Sequence, residues 1–438
     1  MSQNPLTDWP RATVIVLNYN GQQYLETCFR SLYALDYPAD RLELMLVDNA
    51  STDESLEFMR AHFPGVTLVC NDHNYGFSKG NNIGAQRATG EYVAFLNNDM
   101  RVDPAWLTEL IRPIQRDPEV ACTGSRIMTW DGQRIDFADA AMNFYGYGYQ
   151  RGWGSRRLDD YQDDKPMIFV CGGAMLVHRG VFLEAGGFDE DFFAYYEDTD
   201  LGWRLWVLGY KVLLAPRSIA YHVHHGFWGQ VADEKKRVLY ERNALCAAIK
   251  NYENETLDRV LPIALLLLLR RAYLSAEVDL SRYRAESAAV APGLYQEEEW
   301  AKGSRYTISY YGREAWRTLR TQGPLALGRK AFEEGRRRMG WPGTPTTTSR
   351  PPLDDPAYDV VPRQALSYLV AANDVARSLP RLLEKRAYIQ AHRRRPDREI
   401  IPLFQLPLEV SYFDPRYLAT QEKLVQAWGL DTLFGTEP

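Results

Sequence analysis

The sequence predicts an α/β fold built on a parallel β-sheet and followed by a helical C-terminal region. Short apolar runs rich in β-branched residues alternate with helical patterns between Thr13 and Leu96, which is the pattern of repeated βαβ units. Each run is apolar throughout, as expected for strands that are covered on both faces. Beyond Gln230 helical patterns dominate the sequence, and helices are predicted at 234–252, 256–280 and 307–340.

Four strands and three intervening helices are predicted in the first part of the chain. The strands are TVIVL at 13–17, LELMLV at 42–47, VTLVC at 66–70 and YVAFL at 92–96. The helices are predicted at 23–34, 53–61 and 79–88. Ser51 precedes Glu54 by three residues, which predicts a capping box at the start of the second helix.

The later part of this region is less regular. Residues 126–165 show no clear periodicity and are interpreted as an irregular segment. FVCGGAMLV at 169–177 and KVLLA at 211–215 are predicted strands, with a helix at 199–208 between them. Gly172 and Gly173 suggest that a ligand or another backbone approaches closely.

Length and composition limit the function classes. A chain of 438 residues is longer than one hydrophobic core usually serves. We therefore predict three regions, 1–230, 231–340 and 341–438. A net charge of −6 argues against a nucleic-acid partner. Single, scattered cysteines favour free thiols in a reducing compartment, and the N-terminus lacks a signal-peptide pattern. We expect a cytoplasmic protein, with peripheral attachment to the inner face of a membrane as an alternative.

Polar residues follow each of the first four predicted strands. In open parallel sheets, ligands bind at the carboxyl ends of the strands. Ordinary turn formation is the alternative. The polar positions are Asn18 and Asn20, Asp48 and Asn49, residues 71–76, and residues 97–99. Their recurrence at four strand ends favours a ligand site.

The loop after the first strand excludes two common nucleotide sites. LNYNGQ lacks the GxGxxG pattern of dinucleotide-binding folds, and the chain has no GxxxxGK[ST] phosphate loop. These observations favour a nucleotide that is held by side chains, with its diphosphate left to a metal ion.

Seven motifs in order resemble those of family 2 glycosyltransferases, most closely the bacterial rhamnosyltransferase-like branch. The motifs are VIVLNYNG, LVDNASTDES, NYGFSKGNNIG, FLNNDM, CGGAMLV, GGFDEDFFAYYEDTDLGWRL and AYHVHHG. The resemblance covers roughly residues 12–250. It implies a GT-A fold, a nucleoside diphosphate sugar donor (dTDP, UDP or GDP), a divalent cation, and inversion at the anomeric carbon.

The resemblance also implies donor contacts. Asn18 and Asn20 would line the base and ribose, and Asp48 with Asn49 would hold the base edge or the ribose. The next wall of the pocket would consist of Asn74, Gly76, Lys79 and Asn82. Lys79 lies near a predicted helix start, where its positive charge would favour phosphate binding. The alternative is that Lys79 is a solvated helix lysine.

The metal motif of the family falls on Asn97-Asn98-Asp99. Only Asp99 carries a carboxylate here, and Mg²⁺ commonly takes one or two carboxylates together with substrate phosphates. Asn97 or Asn98 would then contact the donor without adding charge. In AYHVHHG, His222 matches the metal-binding histidine of the family, with His224 as the alternative; imidazole suits Mn²⁺ better than Mg²⁺.

The catalytic pair implied by the resemblance is Glu197-Asp198, with Asp198 as the base that deprotonates the acceptor hydroxyl. A simple helix cap is the alternative for Asp198. Four residues are assigned to the acceptor side: Gly172, Gly173, Tyr196 and Trp203. A core position is the alternative for Trp203.

The helical C-terminal region carries no chemistry of its own in the sequence. RVLPIALLLLLRRAYL at 259–274 fits an interfacial helix on an anionic membrane, a buried helix, or a dimer contact. HRRRPDREI at 392–400 would bind phosphate or cross-link helices. The predicted function is transfer of rhamnose, galactose or a similar sugar to a glycan or lipid-linked glycan in cell-wall or surface polysaccharide synthesis. The alternative is a catalytically silent carbohydrate-binding or scaffold protein.

Overall fold

The structure, a computed structural model, describes residues 9–157, 160–223, 232–276 and 361–435. The chain divides into two compact units. The first comprises residues 1–264, 371–409 and 432–438, and the second comprises residues 265–370 and 410–431. The boundaries predicted at 230 and 340 stay predictions. Helical segments beyond residue 230 are part of the same compact unit as the sheet.

A mixed β-sheet forms the centre of the first unit. The strands are β1 (Ala12–Asn18), β2 (Leu42–Asp48), β3 (Thr67–Cys70), β4 (Tyr92–Asn97), β5 (Met100–Val102), β6 (Val120–Thr129), β7 (Ile135–Phe137), β8 (Asp139–Met142), β9 (Gly148–Arg151), β10 (Lys165–Pro166), β11 (Ala174–His178) and β12 (Lys211–His222). The main sheet has the order β10-β12-β6-β11-β4-β1-β2-β3, while β8 and β9 form a separate hairpin.

The half of the sheet that contains β1 to β4 is parallel. β1 lies between β2 and β4 and runs parallel to both, with Asn18 opposite Asp48 and Leu17 opposite Asn97. β11 is antiparallel to β4 and to β6. The first strand is fully buried at Val14, as uniformly apolar strands require. The predicted α/β fold, with parallel strands β1 to β4 and a helical C-terminal region, is confirmed.

Helices cover the sheet and form the C-terminal region. They are α1 (Gln22–Tyr33), α2 (Ser55–His62), α3 (Gly76–Arg87), α4 (Trp106–Arg116), α5 (Arg179–Glu184), α6 (Glu197–Val207), α7 (Asp233–Asn251), α8 (Asn254–Ala276), α9 (Arg363–Ala391), α10 (Asp397–Ile400), α11 (Pro415–Ala427) and α12 (Leu430–Phe434). The predicted helix over 307–340 lies outside the described residues. In the described parts of the chain, no helix is long and apolar enough to span a bilayer.

Three local predictions are wrong. Residues 126–165 contain strands β7 to β9 and the start of β10. These short strands pair with other strands, and no local periodicity in the sequence predicts them. The capping box does not form, because the Ser51 hydroxyl donates to Asp48 Oδ1 at 2.6 Å and Glu54 itself occupies the N-cap of α2. The strand predicted at 169–177 begins only at Ala174, after the glycine pair.

Arginines of the HRRRPDREI segment cross-link helices within the first unit. Arg393 Nη1 donates to Asp397 Oδ1 at 3.1 Å, and Arg395 Nη1 donates to the carbonyl of Tyr210 at 2.9 Å. The Arg395 guanidinium also lies over the Trp206 ring, 4.8 Å from its centroid. Of the two readings of this segment, the structure therefore favours cross-linking over phosphate binding.

A buried ion cluster joins α6, α7 and α9. The Lys250 ammonium contacts Asp189 and lies 2.9 Å from Asp200 Oδ2, while Arg204 lies 2.6 Å from the same oxygen. Lys385 contacts Asp189 from α9. Burial alone would raise the pKa of both carboxyl groups, but these cations hold the pKa of Asp189 and of Asp200 below the usual range.

Replacing Lys250 by Met is expected to destabilise the protein, because it leaves two buried carboxylates short of a partner. We expect a loss of about 3 kcal/mol in the free energy of unfolding at pH 7, measured by urea denaturation. Since the folded-state pKa values are depressed, the stabilisation is present above about pH 4 and is lost as the pH falls below it. The difference from wild type should therefore shrink towards pH 3.

Lys211→Met is the matched control, because Lys211 pairs with Asp117 and Glu119 at the surface. It should change the unfolding free energy far less than Lys250→Met. An equal loss in the two variants, or a Lys250→Met loss that does not change with pH, would contradict the importance of the buried cluster.

Candidate functional site

The candidate site lies at the carboxyl ends of β1, β2 and β4, where the sequence predicts it. Asn18, from β1, is 1% exposed. Its Nδ2 donates to Asp48 Oδ1 at 3.0 Å, and its Oδ1 accepts from Asn98 Nδ2 at 2.7 Å. Three strand ends are thus joined through one amide, and Asn98 is fixed beside the predicted donor residues.

Gly21 makes room for the Asn18–Asn98 contact. A Cβ atom at this position would lie 2.1 Å from Asn98 Nδ2 and 2.6 Å from Asn18 Oδ1. Such distances are far below van der Waals contact, so a side chain at position 21 would displace one of the two amides. The sequence motif LNYNGQ gives no direct sign of this requirement.

A second group of amides extends the wall towards α3. Asn49 Nδ2 donates to the carbonyl of Gly76 at 3.0 Å, and Asn74 Oδ1 accepts from the Gly76 N–H at 2.9 Å. Asn20 Oδ1 accepts from the Thr52 N–H at 2.7 Å, in the loop that follows β2. Asn49, Asn74 and Gly76 therefore lie together, as predicted, while Asn20 contacts the loop after β2.

Two predicted donor residues have other partners. The Lys79 ammonium lies 4.2 Å from the centroid of the Tyr75 ring. The start of α3 is occupied by protein, because the Phe77 N–H donates to the carbonyl of Phe193 at 2.7 Å. Asn82 is buried and exchanges hydrogen bonds of 2.8 and 2.9 Å with the backbone of Phe188. Asn82 is therefore a structural residue, and the Phe77 and Ser78 N–H groups of α3 already donate to protein.

Asp99 and His222 converge, as the resemblance implies. Asp99 Oδ2 lies 3.3 Å from His222 Nε2, and the antiparallel pairing of β5 with β12 sets His222 opposite Met100. On the other side of the ring, His222 Nδ1 lies 2.7 Å from Asp136 Oδ2. His224 lies outside the described residues.

Asp136 was missed by the sequence analysis, because it belongs to β7 in the segment interpreted as irregular. It is 4% exposed, and a carboxylate this deep in the apolar run IDF is the only local sign of a special role. Burial would lower the pKa of His222, but the hydrogen bonds to Asp136 and Asp99 outweigh it and raise the pKa to about 9. Asp136 fixes the ring so that Nε2 faces Asp99.

Asp198 and Glu197 begin α6, but their carboxyl groups differ in accessibility. Asp198 is partly exposed, and its Oδ2 accepts from the Gly172 N–H at 2.9 Å while Oδ1 accepts from the Thr199 N–H at 2.7 Å. Glu197 is buried, and within the described residues its Oε2 has no hydrogen-bond partner. Asp198 lies inside the first turn of α6, whose N-cap is Tyr196, and its bond to the Thr199 N–H leaves a role at the helix start as the alternative.

The two carboxyl groups are poised differently. Burial raises the pKa of Asp198, against the effect of its backbone N–H donors. Burial, followed by the charge of Asp198, raises the pKa of Glu197 well above its usual range. The pair therefore resists carrying two negative charges, and of the two side chains only Asp198 is partly exposed.

The glycine pair contacts both Asp198 and Asn97. A Cβ at Gly172 would lie 3.3 Å from the Cβ of Asp198, and a Cβ at Gly173 would lie 2.8 Å from Asn97 Nδ2. The close approach predicted for these glycines is therefore made by Asp198 and Asn97 on opposite sides of one short segment.

The acceptor-side residues divide into two kinds. Tyr196 packs edge-on against Tyr147 and Tyr240, at ring distances of 5.5 and 5.8 Å, directly before Glu197 and Asp198. Trp203 is fully buried and packs against Tyr252 and Phe404. Its assignment to the acceptor side is therefore wrong. Trp203 lies on α6, and at this position the helix faces the core.

The chain matches one protein family and several individual proteins. Residues 13–186 match the family model described as Glycosyl transferase family 2. The O-antigen biosynthesis protein RfbC of Myxococcus xanthus is 31% identical over 242 residues, which cover 52% of this chain and 18% of that protein. This chain thus spans less than a fifth of RfbC.

A second relative is the N-acetylglucosaminyl-diphospho-decaprenol L-rhamnosyltransferase of Mycobacterium tuberculosis, 25% identical over 234 residues, or 48% of this chain and 75% of that protein. Among solved structures, GalNAc-T7 with UDP, GalNAc and Mn²⁺ gives a TM-score of 0.48 at 19% identity, covering 63% of this chain and 53% of that one. The match to glycosyl transferase family 2 thus covers residues 13–186, about two fifths of the chain, and the relatives include a bacterial rhamnosyltransferase.

Proposed function

We propose that the protein transfers a sugar from a nucleoside diphosphate sugar to a glycan or lipid-linked glycan, with inversion at the anomeric carbon. One observation carries the proposal. The segment Gly172-Gly173 contacts the carboxylate of Asp198 on one side and the amide of Asn97 on the other. A base and the proposed diphosphate-binding motif are thereby held at a fixed, short separation, which a displacement reaction between two bound substrates requires.

The nucleoside of the donor would bind along the amide wall. Asp48 is buried and accepts from Asn18 Nδ2, while Asn20 and Asn49 carry amide groups in the loops that follow β1 and β2. Amides both donate and accept hydrogen bonds, so this wall can bind a base edge or ribose hydroxyls without adding charge. Asn97 and Asn98 would extend the same neutral lining towards the sugar.

A divalent cation fits Asp99 and His222. Their facing oxygen and nitrogen atoms lie close together, and Asp136 orients the imidazole from behind. Among the residues that the structure describes, no group of three or more His, Cys, Asp or Glu side chains can hold a metal, so the donor diphosphate would complete the ligand set. A bound Mn²⁺ or Mg²⁺ would neutralise charge that develops on the departing diphosphate.

Asp198 would act as the base of the transfer. Its carboxylate takes the proton from an acceptor hydroxyl as that oxygen forms a bond to the anomeric carbon. The bond between the anomeric carbon and the β-phosphate oxygen breaks, and the nucleoside diphosphate leaves from the opposite face. The N–H donors of Gly172 and Thr199 orient the carboxylate for this step.

The sugar and acceptor are proposed from the relatives. The mycobacterial relative is described as an L-rhamnosyltransferase for a diphospho-decaprenol acceptor, and RfbC as an O-antigen biosynthesis protein. We therefore favour rhamnose or a similar hexose, and a lipid-linked glycan of cell-wall or surface polysaccharide, as the substrates of this chain.

A panel of dTDP-, UDP- and GDP-sugars tests the proposal. Release of the nucleoside diphosphate, with and without Mn²⁺ and with lipid-diphosphate sugar acceptors, is followed by chromatography. Acceptor-stimulated release from at least one donor is expected. Binding of glycan without release from any donor would favour a catalytically silent carbohydrate-binding protein instead.

Asp198→Asn is expected to lower kcat by about 10²–10⁴-fold, because an amide cannot accept the acceptor proton. Donor affinity, measured by calorimetry with the nucleoside diphosphate, should stay within twofold. Since burial raises the pKa of Asp198, the wild-type kcat/KM should fall as the pH is lowered through that raised pKa, where the carboxylate becomes protonated.

Asp233→Asn is the control, because Asp233 also lies in the first turn of a helix but its side chain is 88% exposed. It should leave kcat unchanged. Near-wild-type turnover in Asp198→Asn would show that another group is the base.

Asp99→Asn is expected to weaken metal-dependent binding of the nucleoside diphosphate by at least about tenfold, because it removes the carboxylate of the proposed metal site. Titration calorimetry in the presence and absence of Mn²⁺ measures the effect. Asp103→Asn is the control: its carboxylate accepts from the Tyr221 hydroxyl at 3.3 Å, away from His222 Nε2. Equal metal dependence in wild type and Asp99→Asn would remove Asp99 from the metal site.

We further propose that the protein works in the cytoplasm, at the inner face of an anionic membrane where lipid-linked acceptors are found. Support comes from apolar side chains of the second unit that are between 37% and 51% exposed: Leu265, Leu266, Leu269, Leu366, Leu369 and Val370. Exposed apolar groups near arginines favour interfacial binding, and a homodimer contact is the alternative use of the same side chains.

Flotation with phosphatidylglycerol vesicles tests the membrane proposal. The protein is expected to float with these vesicles at low salt and to stay with the soluble fraction when Leu266 and Leu269 are replaced by Ser. Leu183→Ser, which changes a leucine of similar exposure in the first unit, should still float. If wild type does not float and elutes as a dimer that the double variant disrupts, the leucines serve dimerisation.

A further inference from the structure

The loop before α6 has an unusual backbone conformation. Phe193, Tyr195 and Tyr196 have φ angles of 63°, 69° and 66°. Side chains other than glycine disfavour this left-handed region, because the Cβ crowds the following carbonyl group. Three such residues within four positions persist only where surrounding contacts hold them. The loop ends directly at Glu197 and Asp198, so its path sets the start of α6.

Two consecutive residues of α7 bind the carbonyl groups of this loop. Asn243 Nδ2 donates to the carbonyls of Ala194 and Tyr195 at 3.1 and 2.7 Å, and it lies 3.2 Å from the carbonyl of Phe192. Arg242 Nη2 donates to the carbonyls of Asp191 and Phe192 at 2.9 and 3.0 Å. These contacts draw the strained backbone against one turn of helix.

The remaining carbonyl of the loop is also bound. The Phe193 carbonyl accepts from the Phe77 and Ser78 N–H groups at the start of α3, at 2.7 and 3.2 Å. All carbonyl groups from Asp191 to Tyr195 therefore accept hydrogen bonds, and four of the five accept them from Arg242 or Asn243. The loop is held between α3, which lines the proposed donor pocket, and α7.

The chemistry at position 243 requires an amide. Asn243 is 0% exposed, and its Oδ1 accepts from Arg242 Nε at 2.9 Å. The same side chain thus needs an acceptor on one side and N–H donors on the other. Alanine supplies neither, and aspartate supplies only the acceptor while placing negative charge against carbonyl oxygens.

We propose that Asn243 is a positioning residue for sugar transfer, which holds the loop 192–196 so that the Asp198 carboxylate faces the acceptor hydroxyl. The proposal rests on the proposed function, because it assigns Asn243 a role in the step for which Asp198 is the base. Asn243 lies outside the residues that match the family model, which end at 186. Helix α7 would then be part of the catalytic apparatus of this chain.

Steady-state kinetics of the full-length Asn243→Ala and Asn243→Asp variants test the role, with the best donor from the panel. A positioning role lowers kcat by at least about tenfold and leaves the affinity for the nucleoside diphosphate within twofold. Hydrogen exchange should also accelerate in peptides covering 189–199, and not in peptides of the parallel strands.

Thr123→Val is the matched control for the loss of a buried hydrogen bond. Thr123 is fully buried on β6, and its hydroxyl donates to the carbonyl of Leu110 at 2.8 Å, away from the loop. This variant should lose stability while keeping kcat within twofold of wild type. A fall in kcat as large as that of Asn243→Ala would show that the effect is a general one of destabilisation, and would overturn the proposal.

A double-mutant cycle with Asp198→Asn identifies the route of the effect. If Asn243 acts through Asp198, adding Asn243→Ala to Asp198→Asn lowers the residual turnover by less than twofold. Independent, multiplicative losses would overturn the proposal. So would wild-type kcat in Asn243→Ala.

Two further outcomes separate the proposals. Should the Asn243 variants not fold, Arg242→Ala, which removes two carbonyl contacts from a partly exposed position, is expected to lower kcat about threefold and to accelerate exchange in 189–199; unchanged values for both would overturn the inference. If the wild type releases no nucleoside diphosphate from any donor, the proposed function and the role of Asn243 in it both fail. If the wild type is active but Asn243→Ala leaves hydrogen exchange in 189–199 unchanged, only the inference about Asn243 is overturned.

Discussion

The parallel pairing of β1 with both β2 and β4 is the constraint on which the site depends. Because parallel neighbours end at the same edge of a sheet, the register that sets Asn18 opposite Asp48 also carries Asn97 and Asn98 to the same level. The amide of Asn18 then joins these ends directly. Without this register, the polar groups would come from three separate segments and would have no common pocket to line.

Neutral groups dominate the side of the site that would face a donor. Amides cross-link the strand ends, while the carboxylates are kept to defined places: Asp48 beneath Asn18, and Asp99 and Asp136 around His222. A nucleoside diphosphate is strongly anionic, and each additional exposed carboxylate beside it would repel it. Asparagine rather than an acid next to Asp99 would therefore keep a polar contact with the donor and avoid this repulsion.

The sequence predicted those parts of the structure that depend on local patterns. Apolar runs identified β1 to β4, and the polar residues after them identified most of the candidate site. Motif resemblance added Asp198, Asp99 and His222, which lie far apart in the chain. Prediction failed for Asp136, because β7 is defined by its pairing with β6 and carries little periodicity of its own. It failed also for Trp203 and Asn82, where helix geometry turns a residue of a motif into the interior.

The contacts of α7 with the loop before Asp198 matter for chimeras made between this chain and its relatives. The residues that match the family model end before Asp198, His222 and α7. A chimera that joined this sheet to the helical region of a relative would also exchange the side chains that grip the loop 192–196. An exchange of the region beyond the matched residues would then also replace α7 side chains that affect catalysis, although α7 itself lies outside the family match.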